Sequence, residues 1–366
     1  MVCMSAWVGM QASHKHEDNN KLTADGPYIM YRLDGSVRIV TVDLQGHIGD
    51  TIVASLPSDY TFDVVSHDGR HRFPVTLHHV ERKPWQCVQP EKLFIMSDPH
   101  ADLNCVVSLL QAGGVIDSCY RWTFGRNRLV VIGDIMDRGK DATQIMWLVY
   151  KLEQEAEAAG GSVDFMLGNH EPMVLMNDLR YTKDKYKLLA ERLMMEYPEL
   201  LGRGTELGYW IATRNTMMTI GRNLIVHAGV SGQLLDKHLS IPTVNELMSH
   251  GLYLNKAQRK ADSPLTYFLF ASNGPIWYRG MVKRDPKYNP IAADTLQMVL
   301  ERYDVDRVIV GHTIFNEVTS LHEGKVIAVN VDNDKNRKHK RSRALLIEGN
   351  EIWLVGDQGK IKELKN

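Results

Sequence analysis

The sequence predicts a layered α/β fold with a polar site at the ends of its strands. Short runs rich in Val, Ile, Leu and Met break abruptly into polar blocks, as at residues 93–96, 129–132 and 308–310, which is typical of buried strands. A helical spacing of apolar residues separates some of these runs, most clearly at residues 141–159. The polar blocks therefore fall on loops just after strands, where layered α/β folds usually place their sites.

The N-terminal segment, residues 1–26, is expected to be signal-like or disordered. Its first residues (MVCMSAWVGMQA) are apolar and uncharged, and a polar run follows them as it does at the end of a secretory signal, although no positive region precedes them. We therefore predict a periplasmic or otherwise exported protein, with a cytoplasmic location as the alternative. No later stretch reaches 18 apolar residues, so stable membrane insertion is not expected.

Residues 27–88 are predicted to form a small β-rich accessory module. Polar and apolar residues alternate at residues 36–43 (SVRIVTVD), and Asp-Gly and Gln-Gly turns punctuate the region. We expect this module to pack on the main domain or to cover one side of its cleft, with substrate docking as the alternative role.

The main domain is predicted to cover residues 89–366. Within it, mostly helical cap segments are expected at about residues 172–208 and 234–270, where they would form the wall of a cleft. The last stretch, residues 344–364, has the pattern of strands joined by a Gly turn and would complete a sheet.

Five polar blocks of this domain carry side chains that suit a centre of two metal ions. In chain order they are SDPH at residues 97–100, GDIMDRG at 133–139, GNHE at 168–171, HAG at 227–229 and GHT at 311–313. Phosphoryl transfer to water needs a nucleophile at neutral pH and neutralisation of the phosphate charge, and two ions about 3.5–4 Å apart supply both. Mixed carboxylate and imidazole ligands favour Mn, Fe or Zn over Ca or Mg alone.

The residue types predict how the ligands divide between the two ions. Asp134 is expected to bridge them, because one carboxylate shared by both ions fixes their separation. Asp98 and His100 stand at i and i+2 on an irregular loop and would bind the first ion. The remaining ligands are an amide and two imidazoles, which would complete the second ion: Asn169, His227 and His312.

The net charge of the chain argues against nucleic acid and anionic membranes as partners. The formal net charge of the chain is −1, so no strong field favours nucleic acid or an anionic membrane, and neither is expected as a partner. One basic run, residues 335–343 (KNRKHKRSR), is predicted to be a solvated loop between strands, with an acidic partner as the alternative.

The polar blocks resemble those of the calcineurin-like metallophosphoesterases, in particular the phosphoprotein phosphatase branch with its motifs GDxHG, GDxxDRG and GNHE. The resemblance extends over about residues 93–332. It implies a four-layer αββα sandwich of two mixed β-sheets and a hydrolase that uses two divalent or trivalent metal ions.

The same resemblance implies roles for residues beyond the metal ligands. His170 would be the general acid that protonates the leaving oxygen, oriented by Asp137. Arg138 and Arg279 would clamp the phosphate oxygens, for which a guanidinium fork has the matching geometry, and Asn169 would also face the substrate.

Departures from the motif narrow the branch. Ser97 and Ala101 stand where the family pattern has Gly, and the SDPH form together with GPIWYRG at residues 274–280 is more similar to the bacterial Shewanella-like protein phosphatases. Those proteins are associated with phosphotyrosine hydrolysis. Ile314 stands where many phosphodiesterases of the superfamily carry a second His, which favours the phosphatase branch.

We therefore predict a dinuclear metal-dependent phosphomonoesterase that is a protein phosphatase. Its substrate would be a phosphorylated protein or peptide carrying phosphotyrosine, phosphoserine or phosphothreonine, or a small phosphoester. The alternative enzyme is a dinucleotide polyphosphate hydrolase of the diadenosine tetraphosphatase type, which shares the motifs. A non-catalytic scaffold would lack some ligands or the imidazole of His170, and none of these is missing.

Overall fold

The structure is a computed structural model, and it describes residues 21–364 of the chain. Its strands are β1 (Asp25–Tyr31), β2 (Val37–Val42), β3 (Ile48–Val53), β4 (Thr61–Val65), β5 (Arg72–Thr76), β6 (Gln86–Cys87), β7 (Lys92–Met96), β8 (Arg128–Val131), β9 (Ser162–Phe165), β10 (Met217–Ile220), β11 (Asn223–Val226), β12 (Arg307–Val310), β13 (Thr319–Leu321), β14 (Val326–Ala328), β15 (Ala344–Glu348), β16 (Glu351–Gly356) and β17 (Gly359–Glu363).

Helices connect and flank these strands. The α-helices are α1 (Leu103–Ala112), α2 (Ala142–Ala158), α3 (His170–Leu175), α4 (Asp184–Arg192), α5 (Glu206–Ala212), α6 (Gly232–Leu235), α7 (Ile241–Gly251), α8 (Lys256–Asp262), α9 (Pro264–Leu269), α10 (Ala293–Tyr303) and α11 (Asn333–Lys338). Two short 3₁₀ helices span Tyr197–Leu201 and Pro286–Tyr288. Within the described residues, every helix is too short or too polar to cross a membrane.

Two six-stranded mixed sheets form the centre of the molecule. The first sheet has the order β17-β16-β15-β7-β8-β9, in which β7, β8 and β9 are parallel. The second sheet has the order β13-β14-β12-β11-β10-β6, in which β11, β12 and β14 are parallel. The parallel strands of each sheet therefore end at a common edge, where the loops that follow them can meet.

Alternation along the strands builds the layers, since successive side chains point to opposite faces. In β7, Leu93 and Ile95 join an apolar cluster shared by the two sheets, whereas Phe94 and Met96 join a cluster with α1 and α2. In β11, Ile225 lies between the sheets and Leu224 faces the helices of the second sheet. The predicted four-layer αββα sandwich is confirmed.

The first strands form two small sheets beside this sandwich. β1, β2 and β3 make an antiparallel sheet, and β4 pairs with β5. Trp147 of α2 donates its indole N–H to the Pro27 carbonyl at 3.0 Å, and Val64 and Phe73 pack in the same cluster as α2. The β-rich N-terminal part is therefore confirmed. The boundaries at residues 1–26, 27–88 and 89–366 stay predictions, and residues 1–20 lie outside the described part.

The predicted cap segments are helical in the structure. Residues 172–208 include most of α3, all of α4 and the start of α5, and residues 234–270 include α7, α8 and α9. That these two segments act as a cap stays a prediction.

The basic run at residues 335–343 is not the simple solvated loop that the sequence pattern predicted. Its first residues belong to α11, which Asp332 caps by accepting a hydrogen bond from the Lys335 backbone N–H. Its last residue, Arg343, is 1% exposed and pairs with Asp357 at 2.6 Å. Sequence polarity does not reveal this because the partners of Arg343 come from distant parts of the chain.

Candidate metal centre

Each predicted metal ligand lies on a loop just beyond the carboxyl end of a central strand. The pairs of strand and following ligand are β7 with Asp98 and His100, β8 with Asp134, β9 with Asn169, β11 with His227 and β12 with His312. Hydrogen bonds join the loops of the two sheets, since the His312 backbone N–H donates to Asp98 Oδ2 at 3.0 Å. The structure thus brings all six predicted ligands to one place.

Several of these residues have a left-handed backbone, which side chains with a Cβ rarely adopt. The φ angles are 49° for Asp98, 44° for His100, 56° for Asp134 and 60° for His312. Such conformations cost about 1–3 kcal/mol each and cluster at functional sites. The loops are therefore held in place by the packing around them.

The glycines of two motifs have a steric reason. A Cβ on Gly168 would lie 2.2 Å from Asp134 Oδ1, and one on Gly311 would lie 1.9 Å from Ser97 Oγ. Both separations are far inside contact distance, so the loops approach each other only because these two positions have no side chain.

Asp134 lies at the centre of the site. It belongs to two groups of possible ligands, one with His100 and His170 and one with His227 and His312, and within each group the ligand atoms lie within 4.8 Å of one another. Asp134 Oδ2 is 3.2 Å from His227 Nε2 and 3.9 Å from His170 Nε2. A carboxylate shared by two groups has the position that a bridging ligand requires.

The donor atoms fit metal ions. Carbonyl oxygens accept from Nδ1 of two imidazoles, Ile132 O from His227 at 2.8 Å and Met136 O from His100 at 3.1 Å, so Nε2 of each ring can face an ion. Within residues 21–364, Asp98 Oδ1 and His312 Nε2 are buried without any hydrogen-bond partner. Buried polar atoms are normally paired, and metal ions would satisfy both.

Asn169 and Asp98 are oriented by their neighbours. The Asn169 amide group donates to Met173 Sδ at 3.7 Å, which leaves its oxygen 3.2 Å from His227 Nε2. The Asp98 carboxylate accepts from the Ser97 hydroxyl. Ser97, which stands where the family motif has Gly, therefore helps to orient the side chain of the predicted ligand Asp98. Asp98 belongs to neither of the groups around Asp134 and lies beside the second group through the His312 backbone.

The electrostatics of the centre favour a cation. Burial raises the pKa of Asp98 to about 7, and the charge of Asp134 adds to this effect. Burial opposes the charged form of His227, but the carboxylates of Asp134 and Asp98 outweigh it and raise the pKa to about 9. Burial lowers the pKa of His100 to about 4. Without metal, bound protons therefore balance the negative charge of the carboxylates. Metal ions that bind here would replace those protons.

His170 and Asp137 form a buried pair beside Asp134. His170 Nδ1 lies 2.7 Å from Asp137 Oδ2, and Asp137 Oδ1 accepts from the Thr182 hydroxyl at 2.5 Å. Burial opposes protonation of His170, but the Asp137 hydrogen bond and the charge of Asp134 outweigh it and raise the pKa of the imidazole. This arrangement keeps a proton on Nδ1 and directs Nε2 toward the centre.

Glu171 holds the loop of Asp134, a role that sequence reasoning missed. Its buried carboxylate accepts from the backbone N–H groups of Gly168 at 2.8 Å, Asp134 at 3.0 Å and Ile135 at 2.8 Å. The GNHE motif was the available signal, but the partners of the Glu side chain are backbone groups of another loop.

The two predicted phosphate-binding arginines lie at different loops of the site. Arg138 is exposed, and its guanidinium lies 5.2 Å from the centre of the Tyr181 ring. Arg279 is half-buried and donates to Thr313 Oγ1 at 2.9 Å and to the His312 carbonyl at 3.3 Å. Burial and then the charges of His227 and Arg279 hold the pKa of His312 well below its ordinary value.

A cleft of about 470 Å³ opens from Asn169. Apolar and aromatic side chains of its wall come from α3, the loop before α4, and α9 with the loop after it: Met173, Met176, Tyr181, Tyr267, Phe270 and Trp277. Three cations also line it, Arg180, Lys256 and Arg259, against the single acidic residue Asp178. The cleft therefore combines aromatic faces with positive charge.

Comparison with known proteins agrees with this geometry. The family model described as calcineurin-like phosphoesterase matches residues 91–315. The chain is 27% identical over 293 residues to Shewanella-like protein phosphatase 2 of Arabidopsis thaliana, which is 68% of this chain and 72% of that protein. It is 25% identical over 224 residues to Shewanella-like protein phosphatase 1 of Plasmodium berghei, 61% of each chain.

A solved structure is similar over nearly the whole length. The crystal structure of the cold-active protein-tyrosine phosphatase of a psychrophilic Shewanella species superposes with a TM-score of 0.83 and 30% sequence identity. The match covers 93% of this chain and 99% of the other.

Proposed function

The chain belongs to the calcineurin-like phosphoesterase family, and we propose that it hydrolyses phosphotyrosine in proteins or peptides at a centre of two metal ions. As predicted, it is a metal-dependent phosphoester hydrolase, and its similarity to the Shewanella-like protein phosphatases is confirmed. The relatives that are phosphatases imply phosphorylated substrates.

The position of Asp134 carries the proposal of two ions. It belongs to two groups of candidate ligand atoms, one that includes His100 and one that includes His227 and His312. Asp98 Oδ1 and His312 Nε2 are also buried without a hydrogen-bond partner within residues 21–364. The residues that would hold the ions are Asp98, His100, Asp134, Asn169, His227 and His312. Two such ions supply a nucleophilic water at neutral pH and neutralise phosphate charge, and the mixed oxygen and nitrogen donors favour Mn, Fe or Zn.

His170 acts as the general acid. The Asp137 carboxylate keeps the imidazole in the tautomer and orientation in which Nε2 faces the reacting phosphate, and Thr182 keeps Asp137 in place. As the bond between phosphorus and the tyrosine oxygen breaks, a proton passes from Nε2 to that oxygen, so that tyrosine leaves as a neutral phenol. The two carboxylates near the ring favour its protonated form before this step.

The phosphate oxygens are bound by Arg138 and Arg279, with Asn169 beside them. Arg279 uses one nitrogen to hold Thr313 and the His312 carbonyl, which fixes its direction and leaves its other donors for the substrate. Arg138 is exposed, and its guanidinium lies 5.2 Å from the centre of the ring of Tyr181, which lines the cleft. Bidentate guanidinium contacts match phosphate geometry.

The cleft that opens from Asn169 favours phosphotyrosine over phosphoserine and phosphothreonine. Its aromatic wall, with Tyr181, Tyr267 and Trp277, can stack on a phenyl ring, and a short aliphatic side chain offers no such ring face. A solved relative that is 30% identical is named a protein-tyrosine phosphatase, which supports the same preference.

Steady-state hydrolysis of matched peptides tests the proposal. Peptides of one sequence that carry phosphotyrosine or phosphothreonine are compared with diadenosine tetraphosphate, with Mn²⁺ added after chelation. We expect metal-dependent turnover with a higher kcat/KM for phosphotyrosine. Equal or better turnover of phosphothreonine would overturn the residue preference, and turnover of the dinucleotide alone would overturn the protein phosphatase assignment.

A cleft variant sharpens the comparison. Tyr267→Leu removes an aromatic face and is expected to raise the KM for the phosphotyrosine peptide about two- to tenfold, the scale of an aromatic pair. Tyr209→Leu, at a half-exposed position of α5 that does not line the cleft, serves as the control and should leave the KM unchanged.

A further inference from the structure

A second cleft, of about 720 Å³, opens between α1, α11 and the turn that joins β16 to β17. Its polar lining consists mainly of Ser108, Gln111, Arg337, Lys340, Gln358 and Lys360. We call it the basic pocket. None of its residues belongs to the metal centre, and its volume exceeds that of the cleft beside Asn169.

Positive charge exceeds negative charge in the basic pocket. Asp357, the one acidic residue of its lining, already pairs with the buried Arg343 at 2.6 Å, and Arg337 approaches the same carboxylate at 4.0 Å. Lys360 pairs with Glu348. For Lys340, no carboxylate lies within 4.0 Å in the part of the chain that the structure describes. The pocket therefore has cations that lack full compensation.

The positions of these cations match an extended acidic peptide better than a compact anion. Arg337 and Lys340 lie on the wall formed by α11 and the residues after it, whereas Lys360 lies on β17. β17 is an edge strand of the first sheet, so one side of its backbone has no neighbouring strand among the described residues. An extended peptide can pair with such an edge while its carboxylates meet the cations of the walls.

We propose that the basic pocket binds an acidic segment of the protein substrate, outside the metal centre. This proposal rests on the proposed function, because it assigns the substrate a second point of contact. Since α1 runs for 10 residues from beside the Asp98 loop to Gln111 and Ala112 in the pocket lining, the far end of the pocket lies about 15 Å from that loop along the helix. An extended chain covers about 3.3 Å per residue, so the acidic residues lie at least about five positions from the phosphorylated one.

The contact also has a structural link to the metal centre. Asn333, at the start of α11, donates from its amide to the Asp98 carbonyl at 3.4 Å, and the Arg343 guanidinium donates to Asn333 Oδ1 at 3.4 Å. The helix that supplies Arg337 thus begins beside the loop of a predicted metal ligand. A substrate that spans both sites would follow this helix.

The test uses the Mn²⁺-loaded enzyme and phosphotyrosine peptides with or without an acidic cluster placed six to eight residues from the phosphate, on either side. The double variant Arg337→Ala, Lys340→Ala should raise the KM of the acidic peptide about two- to tenfold, the scale of two exposed ion pairs, and leave kcat unchanged. The KM of the peptide without the cluster should not change. Lys335→Ala with Lys338→Ala removes the same charge from α11 outside the pocket lining and should behave as wild type.

A binding measurement separates this proposal from the proposed function. A labelled acidic peptide without phosphate should bind the wild-type enzyme by fluorescence anisotropy, lose affinity in the pocket variant and lose it at high salt. Equal KM values for the two peptides on the wild-type enzyme, or unchanged binding by the pocket variant, would overturn the docking proposal while phosphotyrosine turnover still stood. Absence of all phosphopeptide turnover would instead overturn the proposed function, and the anisotropy result would still decide whether the pocket binds.

Discussion

His170 is the single residue whose chemical role is most closely defined by its contacts. The three carboxylates that influence it, those of Asp134, Asp137 and Glu171, are buried, and its Nδ1 is held by Asp137 at 2.7 Å. Among the described residues, Nε2 has no hydrogen-bond partner, and Asp134 Oδ2 of the centre lies 3.9 Å from it. Its replacement therefore separates metal binding from proton transfer.

His170→Asn should lower kcat for a phosphotyrosine peptide by roughly 10²-fold, the usual scale of general acid catalysis. The loss should be smaller for an aryl phosphate whose leaving group is already a weak base, because such a group needs less protonation. Steady-state kinetics on both substrates, with metal content measured in parallel, checks this. Wild-type turnover of the peptide by a fully loaded variant would exclude His170 as the acid.

Glu171 should matter for stability rather than for chemistry. Glu171→Ala leaves at least three buried backbone N–H groups without an acceptor and should lower the free energy of unfolding by about 3 kcal/mol. Glu171→Gln keeps the shape and one acceptor oxygen and should cost less. The midpoint of urea unfolding of the metal-free proteins measures both, and an alanine variant as stable as wild type would show that water or other groups satisfy the loop.

At the scale of residues, the sequence predicted the candidate ligands but not the residues that hold them in place by hydrogen bonds. The six predicted ligands stand in motifs whose residue types suit metal and phosphate chemistry, so the sequence alone was enough to propose them. Ser97, Thr182 and Glu171 act through hydrogen bonds to groups that only the fold brings near. No spacing of residues in the sequence predicts such contacts.

At the scale of elements, α2 connects the small N-terminal sheets to the sandwich. Residues around the whole helix are buried, including Glu153, which pairs with Arg214 and accepts from the Trp210 indole N–H at 2.9 Å. A helix with polar residues on a buried face depends on such partners.

Glu153→Ala should lower the free energy of unfolding by about 3–5 kcal/mol, because it leaves the Arg214 guanidinium buried without its carboxylate. Glu157→Ala, on the exposed side of the same helix, removes a surface pair with Lys83 and should cost less than about 1 kcal/mol. Chemical denaturation of the two variants checks the contrast. Equal stabilities would mean that Arg214 finds another partner.

The elements themselves were predictable to different degrees. α2 and β7 carry regular apolar spacing, and the structure places them within a residue or two of the predicted ranges. α11 was missed because all six of its residues are polar and the helix is stabilised by the Asp332 cap and by buried contacts of the residues that follow it. A helix this short shows no periodic spacing of apolar residues, so only its N-terminal cap could have indicated it.

At the scale of the whole molecule, the two sheets bring five loops to one edge, and the charges there couple folding to pH. The pKa of His227 is raised from 6.5 to about 9 by buried carboxylates after burial itself is outweighed. A group with a raised folded-state pKa contributes stability that is present below its unfolded pKa and is lost as pH rises through the folded value.

The metal-free protein should therefore lose stability between pH 6.5 and 9, and His227→Asn should lose less over the same range. With Mn²⁺ bound, the proton on His227 is replaced and this part of the pH dependence should disappear. Urea unfolding at several pH values, with chelator or with Mn²⁺, checks the three curves. If the metal-free wild-type protein lost no more stability between pH 6.5 and 9 than the metal-free variant, the assignment would be contradicted.

The layered architecture followed from strand patterns and from the family resemblance together. The N-terminal module was expected to pack on the main domain or to cover its cleft, but its place against α2 did not follow from the sequence. The contacts of this module with α2 pair residues more than 70 positions apart, such as Pro27 with Trp147, and alternation in the sequence defines strands without defining where they pack. The basic pocket likewise forms from three separate segments of the chain.

The proposed catalytic centre holds two ions that share Asp134. Its most direct test is a titration of Mn²⁺ into chelated protein while turnover of a phosphotyrosine peptide is followed. Activity should rise to a break at two equivalents per chain, and Asp134→Asn should remove both the tight binding and the activity. Full turnover at one equivalent, or turnover that persists in the chelated protein, would contradict the shared centre.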